Sequence, residues 1–429
     1  MQKKRNRRTI ILVSMPVLIL LAWLIYQIPF VNERLAWRLS ELRASIQYAI
    51  SPPGEIVFQP DSTNVAAMVD STMQALEPTA TATAGPTSTP TITPTPTLEP
   101  TPLPGSVQLT GITHEYQKWN NCGPANLSMA LSYWDWAGDQ RDTAAFLKPN
   151  QRDKNVMPYE METFVEEETG LLAVVRMAGD LRLIKTFLAN GFVVIVEKGF
   201  EGAGFSGWMG HYEVISGYDD TTQQFTAQDS YIMSNLPVSY EDMEQYWRHF
   251  NYTYVVIYPP EREQEVMAIL GPDADETYNF THAAEQASQD ILTYSGRELF
   301  FAWYNRGTAL MRLRDYAGAA AAYDEAFRID AQLAANDPDN RPYRIIWYQT
   351  GPYFAYFYTG RYYDVINLAD TTLLAMSEPV LEESYYWRAL AKEALGDIDG
   401  AIADLRMALN VHPNWSLALT ELERLGVTP

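Results

Sequence analysis

One cysteine, Cys122, serves a chain of 429 residues, so no disulfide can form within it. Histidine is scarce as well, with five scattered residues: His114, His211, His249, His282 and His412. A structural zinc site wants several Cys or His ligands at close spacing, so neither a metal nor a cofactor is expected. Basic residues are outnumbered, 31 against 53 acidic, for a net charge of −22. Nucleic-acid binding needs a basic footprint, and nucleic acid is not an expected partner. The acidic surface serves solubility, with Asp219-Asp220 read as a solvated turn and Glu166–Glu168 as a solvated helix face. Apolar residues are plentiful at 47%, aromatics at 13%, enough for two or three packed units.

Charge of either sign is missing from Thr9 to Val31, which reads TIILVSMPVLILLAWLIYQIPFV after a basic tip of Lys3, Lys4, Arg5, Arg7 and Arg8. The run is long enough for a bilayer of ~30 Å, and the basic flank places the N-terminus in the cytoplasm. It ends in Ile28-Pro29-Phe30-Val31, without the small residues of a cleavage site. Residues 1–31 are therefore expected to be a signal anchor, crossing a bacterial-type membrane once over residues 10–31. The rest of the chain would be extracytoplasmic. Residues 32–50 continue with Leu35, Leu39, Leu42, Ile46 and Ile50 near helical spacing. They fit an interfacial helix with Trp37 and Tyr48 at headgroup depth, an extension of the anchor, or a helix pairing with another copy. Residues 32–77 are assigned as this helix and a linker.

From Pro78 to Gly105, 18 of 28 residues are Pro or Thr and only Glu99 is charged. Such a stretch buries no core and is a semi-rigid spacer. At ~3.1 Å per residue it could hold the following domain some tens of ångströms from the membrane.

After the spacer comes Tyr116-Gln-Lys-Trp-Asn-Asn-Cys-Gly-Pro-Ala-Asn-Leu-Ser-Met-Ala-Leu131. Pro124 and the apolar positions Leu127, Ala130, Leu131 and Trp134 predict a helix that begins at or just after Cys122. The positive end of a helix dipole stabilises a thiolate. Helices are predicted around Met161–Thr169 and Leu181–Asn190. Strands follow over Phe192–Val196, His211–Tyr218, Gln224–Asp229 and Tyr252–Tyr258. Helices first and an antiparallel sheet afterwards indicate an α+β domain, assigned to residues 106–262.

A nucleophilic thiol needs a base, and the base an orienting group. His211 opens a strand after the glycine-rich loop Gly199–Gly210, which would leave its ring at the sheet edge. Asp229, near the end of the hairpin partner, could fix its tautomer. Gln117, five residues before the cysteine, could give its amide to an oxyanion beside the Cys122 N–H.

The order Gln117, Asn121-Cys122-Gly-Pro-Ala, Gly210-His211-Tyr, Gly217-Tyr-Asp-Asp and Gln228-Asp229-Ser resembles the papain-like bacteriocin-processing, or double-glycine, peptidases. The nearest likeness is to the forms that occur outside transporters, over residues 108–258. The resemblance implies a papain-like cysteine peptidase domain with Cys122 as nucleophile, His211 as base, Asp229 as orienter and Gln117 in the oxyanion hole. Papain-like enzymes usually place the glutamine six residues ahead, and the family often has proline where Ser230 stands. No GxxxxGK[ST] motif occurs, so export-coupled leader cleavage is not implied.

From about Thr277 the chain is helical. Trp303, Gly307, Tyr316, Ala319, Tyr323 and Ala326 have the spacing of a tetratricopeptide repeat. Tyr353, Gly360 and Tyr362 fit a second copy, and Tyr385 to Pro413 a third, with an insertion near Asn336–Tyr343. Residues 275–429 are assigned to an all-α repeat solenoid, capped by a helix over 277–299. The resemblance implies peptide or protein binding on a concave face, to which Tyr348, Tyr353, Phe354 and Tyr356 are assigned.

Together these features predict a membrane-anchored extracytoplasmic cysteine peptidase whose repeats recruit a peptide or protein substrate. A non-catalytic binding scaffold, or an acyltransferase using the same triad, would fit the same residues.

Overall fold

The computed structural model describes residues 56–60, 102–150, 152–153, 156–201 and 207–429, with isolated positions between 20 and 50. The 10–31 run, the 32–50 helix, the spacer and the centre of the Gly199–Gly210 loop lie wholly or largely outside these residues. Among the described residues no helix is long and apolar enough to cross a membrane.

Alternating apolar residues build an antiparallel sheet whose two faces are both buried. Its strands are β1 Ser106–Gln108, β2 Leu172–Arg176, β3 Val194–Phe200, β4 Met209–Asp219, β5 Gln224–Gln228, β6 Leu236–Ser239 and β7 Tyr254–Tyr258. The order is β2-β7-β3-β4-β5-β6, with β1 also on β4. Successive residues of a strand face opposite sides. Val194 and Val196 accordingly meet Ile184, Phe187, Met243 and Trp247, whereas Ile195 and Val214 meet Leu127, Leu131, Met161 and Phe164. The second face is covered by α1 Cys122–Ser132, α2 Gln140–Leu147 and α3 Pro158–Glu168. The first is covered by α4 Leu181–Ala189, α5 Tyr240–Arg248 and α6 Glu263–Leu270. The α+β class is as expected, but the order is not helices first. Strands β1 and β2 are interleaved with the helices, and both are edge elements of three and five residues, too short for a periodic signal.

Helices α7 Glu276–Thr293, α8 Gly296–Arg312 and α9 Tyr316–Asn336 follow. The pairs α10 Gly351–Tyr358 with α11 Tyr362–Leu374, and α12 Glu382–Ala394 with α13 Ile398–Val411, come next, and α14 Ser416–Arg424 closes the stack. The expected helix 277–299 is in fact two, broken at Tyr294-Ser295 and restarted at Gly296, whose φ is +60°. Three helix pairs therefore stand where three repeats were read. Tyr353 and Tyr356 are fully buried and bond inward to Ser384 and Asp324. They are core residues rather than residues of a binding face.

The repeats and the sheet domain share one core. Trp208 and Phe250 stack on each other and belong to the same aromatic cluster as Phe301, Tyr348 and Tyr356. Arg344 donates to the Trp208 carbonyl at 2.7 Å, and Asn305 to the Arg248 carbonyl at 2.6 Å. A Cβ on Gly210 would lie 2.7 Å from Phe250 and 2.8 Å from Tyr348, so only glycine lets the insertion before α10 close on β4.

The chain before the spacer is also seated on this body. Phe58 is buried edge-on to Phe327 at 4.9 Å, and Arg341 donates to the Ile56 carbonyl. On the far side of the spacer, Pro104 and Gly105 accept bonds from Tyr218 and Asp220. Residues 56–60 and 102–105 thus both rest on the folded body, while the 78–105 spacer lies almost wholly outside the described residues.

Candidate active site

Cys122 is the first residue of α1, and no side chain caps that helix end. Its neighbour Gly123 lets the helix start press on α3: an added Cβ would sit 3.1 Å from both Val156 and Met161. The loop before the thiol is pinned from within. The buried Lys148 ammonium donates to the Asn120 carbonyl at 2.7 Å, and Asn126, one turn along α1, donates to the Cys122 carbonyl at 2.9 Å.

His211 lies two residues into β4, beside Lys198 of β3. It is near the end of a central strand rather than on a sheet edge. Its Nε2 is 2.9 Å from Asp229 Oδ2, and both residues are buried. The other oxygen, Asp229 Oδ1, accepts the backbone N–H groups of Tyr231 and Ile232. His114 Nε2 holds the Asp229 carbonyl at 2.8 Å. With a carboxylate so fixed, Nε2–H of His211 donates to it and Nδ1 is left for the thiol.

Electrostatics follow from this placement. Burial raises the Cys122 pKa, but the hydrogen bond and charge of His211 outweigh it, helped by Lys148 and the Gly123 N–H, and the thiol sits below its ordinary value. Burial opposes charge on His211 too, yet Asp229 and Cys122 raise it to about 10. Asp229 is held down to about 2 by the imidazole and by backbone bonds, against the effect of burial. The shifts run in the directions that favour a thiolate–imidazolium pair beside a carboxylate.

Gln117 is tied to the same corner. Its backbone N–H donates to the Ser230 carbonyl at 2.8 Å, and its Oε1 accepts from the Ser230 hydroxyl at 2.9 Å. That leaves the Nε2 amide to donate elsewhere. Ser230 Oγ itself accepts from Asn126 at 3.0 Å. The residue that departs from the family pattern thus joins the helix of the cysteine to the glutamine.

All four sequence-predicted residues fall in this region, with Cys122, His211 and Asp229 in one chain of contacts. Sequence reasoning did not find Asn126, Lys148, Ser230 or the pair Lys198 and Glu213. The last two are buried, with Nζ 2.7 Å from Oε1 in a charge contact outside hydrogen-bond geometry. His211, Glu213 and Asp229 place three donor atoms within 4.8 Å, but the Lys198 ammonium already provides the positive charge beside Glu213. Asn126 alone had a legible signal, lying four residues after the cysteine on one helix face.

Residues 104–255 match the family described as Peptidase_C39 like. Residues 300–333 and 382–414 match tetratricopeptide repeat families. The chain carries a C39-peptidase-like domain followed by a tetratricopeptide-repeat region. Among solved structures it is similar to one described as a C39-like peptidase from Bacillus anthracis. That likeness has 15% identity, a TM-score of 0.30, and covers 35% of this chain and 96% of that one. None of the curated proteins matches this chain.

Proposed function

We propose that the protein is a membrane-anchored, extracytoplasmic cysteine peptidase using Cys122, His211 and Asp229. The observation that carries this reading is the alignment of the buried Asp229 carboxylate on His211 at 2.9 Å, with the imidazole lowering the pKa of Cys122. The Cys122 sulfur attacks a peptide carbonyl. The oxyanion is met by the Cys122 N–H and the Gln117 amide. His211 gives its proton to the leaving amine, then takes one from the water that hydrolyses the thioester. The basic tip and uncharged run to Val31 support anchoring, with the body outside the cytoplasm.

Tetratricopeptide repeats are protein-interaction elements, and here they would recruit the substrate. The first helices of the three pairs, α8, α10 and α12, contribute Thr308, Phe354 and Trp387 to a cleft of about 300 Å³ facing the sheet domain. A segment held on that face lies beside the thiol's side of the sheet.

Alkylation of the full chain by iodoacetamide, followed against pH, tests the site. Rapid labelling of Cys122 well below pH 8 that is lost in His211→Ala is expected. A thiol titrating near ~8.5, the unperturbed value, would overturn the reading. A Cys122-dependent transfer to added amines, without hydrolysis of a peptide library, would favour acyl transfer over hydrolysis. Reactivity without any turnover would leave a binding scaffold.

A further inference from the structure

The cleft between the two domains has walls unlike the rest of the interface. It is lined by Phe354, Tyr386, Trp387 and Trp415 from the repeats, and by two carboxyl groups, Glu197 of β3 and Glu383 of α12. The rings form a connected run, with Phe354 4.3 Å from Trp387 and Tyr386 5.3 Å from Trp415. Among the described residues Glu197 Oε1 and Glu383 Oε2 are buried without a hydrogen-bond partner. Glu197 as a whole is 5% exposed. A buried carboxyl oxygen left so is costly; the Tyr212 side chain hydrogen-bonds the Glu197 carboxyl, but these two oxygens have no partner among the described residues.

Other charges in this part of the molecule do not supply one. His412 Nδ1 is 2.7 Å from Glu382 Oε1, and so is committed to the neighbour of Glu383. Glu160, Glu382 and Asp153 are further acids whose charge acts on Glu383. Arg312 also lines the cleft but is exposed to solvent. Burial pushes the Glu197 and Glu383 carboxyl groups well above their ordinary pKa, and a cation placed beside them would act in the opposite direction.

Aromatic faces and carboxylates together are the chemistry that receives an organic cation on an apolar stem. We propose that the cleft is a specificity pocket for a lysine or arginine side chain of a peptide, with Glu197 and Glu383 as its charge partners. This rests on the peptidase reading for its role, though not for its existence. The thiol is not part of the pocket wall; Glu197 connects the two. Glu197 pairs in register with Tyr212, and its carboxyl is close enough to Cys122 for their charges to interact. A basic side chain on Glu197 would therefore place its own peptide backbone toward the nucleophile.

The test uses the full chain with Cys122→Ala, so that binding is read without turnover. Random nonapeptide-amides are selected on it, and enriched sequences are measured by calorimetry beside copies with norleucine or glutamate at the enriched position. Enrichment of Lys or Arg is expected, with norleucine weakening binding at least tenfold and glutamate abolishing it. Glu383→Gln and Glu197→Gln should each reduce the lysine-over-norleucine ratio several-fold, with melting temperatures confirming that both fold. No peptide binding, enrichment of acidic or wholly apolar peptides, or an unchanged ratio in both variants would overturn the proposal. Wild-type cleavage without a basic preference would remove the pocket and keep the peptidase. Basic-peptide binding without cleavage would do the reverse.

Discussion

His211 and His249 are both buried and both sit beside a carboxylate, yet their pKa values move in opposite directions. His211 faces Asp229, whose own surroundings are backbone N–H groups, and its pKa rises to about 10. His249 stacks on Phe301 at 3.9 Å and touches Glu298 at 3.2 Å, yet its pKa falls. Burial dominates there, and Arg248 and Arg297 claim the same Glu298 and repel a second cation. A carboxylate within reach is thus insufficient to charge a histidine; what matters is whether other cations share it. The first arrangement belongs to the candidate active site, the second to the seam between the domains, where a neutral ring accepts from Trp208 at 3.0 Å.

The largest way to break this contrast is at the base. His211→Ala should slow Cys122 alkylation at pH 6.5, and any peptide turnover, by about 10²–10⁴-fold, the range for losing a general base. The same assays on His249→Gln should move by less than about twofold. Equal losses in the two variants would end the distinction.

Next in size is the Asp229 carboxylate. Removing one partner of a buried ion pair costs about 3–5 kcal/mol, so Asp229→Asn should lower the urea midpoint by that equivalent at pH 5–6. The pH dependence has two limbs. Asp229 has its folded pKa depressed to about 2 from 3.8, so its contribution is present above pH 4 and lost as pH falls toward 2. His211 has its folded pKa raised to about 10 from 6.5, so its contribution is complete below pH 6.5 and lost as pH rises toward 10. The variant should flatten both limbs. A wild-type urea midpoint constant from pH 3 to 9 would contradict the pairing.

His249→Gln should by contrast cost about 1–3 kcal/mol, the penalty for disturbing a buried hydrogen-bonded group, with no new pH limb in equilibrium unfolding. The smallest effect is expected at Ser230→Ala, which frees Gln117 without deleting it. A drop in kcat/KM of about tenfold is expected, below the ~10²–10³ of losing an oxyanion donor outright. Gln117→Ala in the Ser230→Ala background should then add less than it does alone.

The thiol, its base and its orienter were legible because each sits at a local punctuation mark. Cys122 precedes Gly123-Pro124, His211 follows Gly210, and Asp229 ends a hairpin strand. The helical repeats were legible from their period. What was not legible depends on pairs far apart in sequence. Ser230 reads as a departure from a motif until Asn126 and Gln117 are seen on either side of its hydroxyl. Tyr353 and Tyr356 read as a surface because aromatic content does not say which way a ring points. Phe58 gave no signal at all, being one aromatic residue in a polar linker whose socket is built much later in the chain by Phe300 of α8, Phe327 of α9 and Leu368 of α11.

That socket decides how load would travel through the molecule. Tension arriving from the N-terminal segment would meet Phe58 first and be borne by the repeats, through the Phe327 ring and the Arg341 bond to Ile56. The sheet carrying Cys122 begins only at Ser106, so it is shielded from the pull until the ring is drawn from its socket.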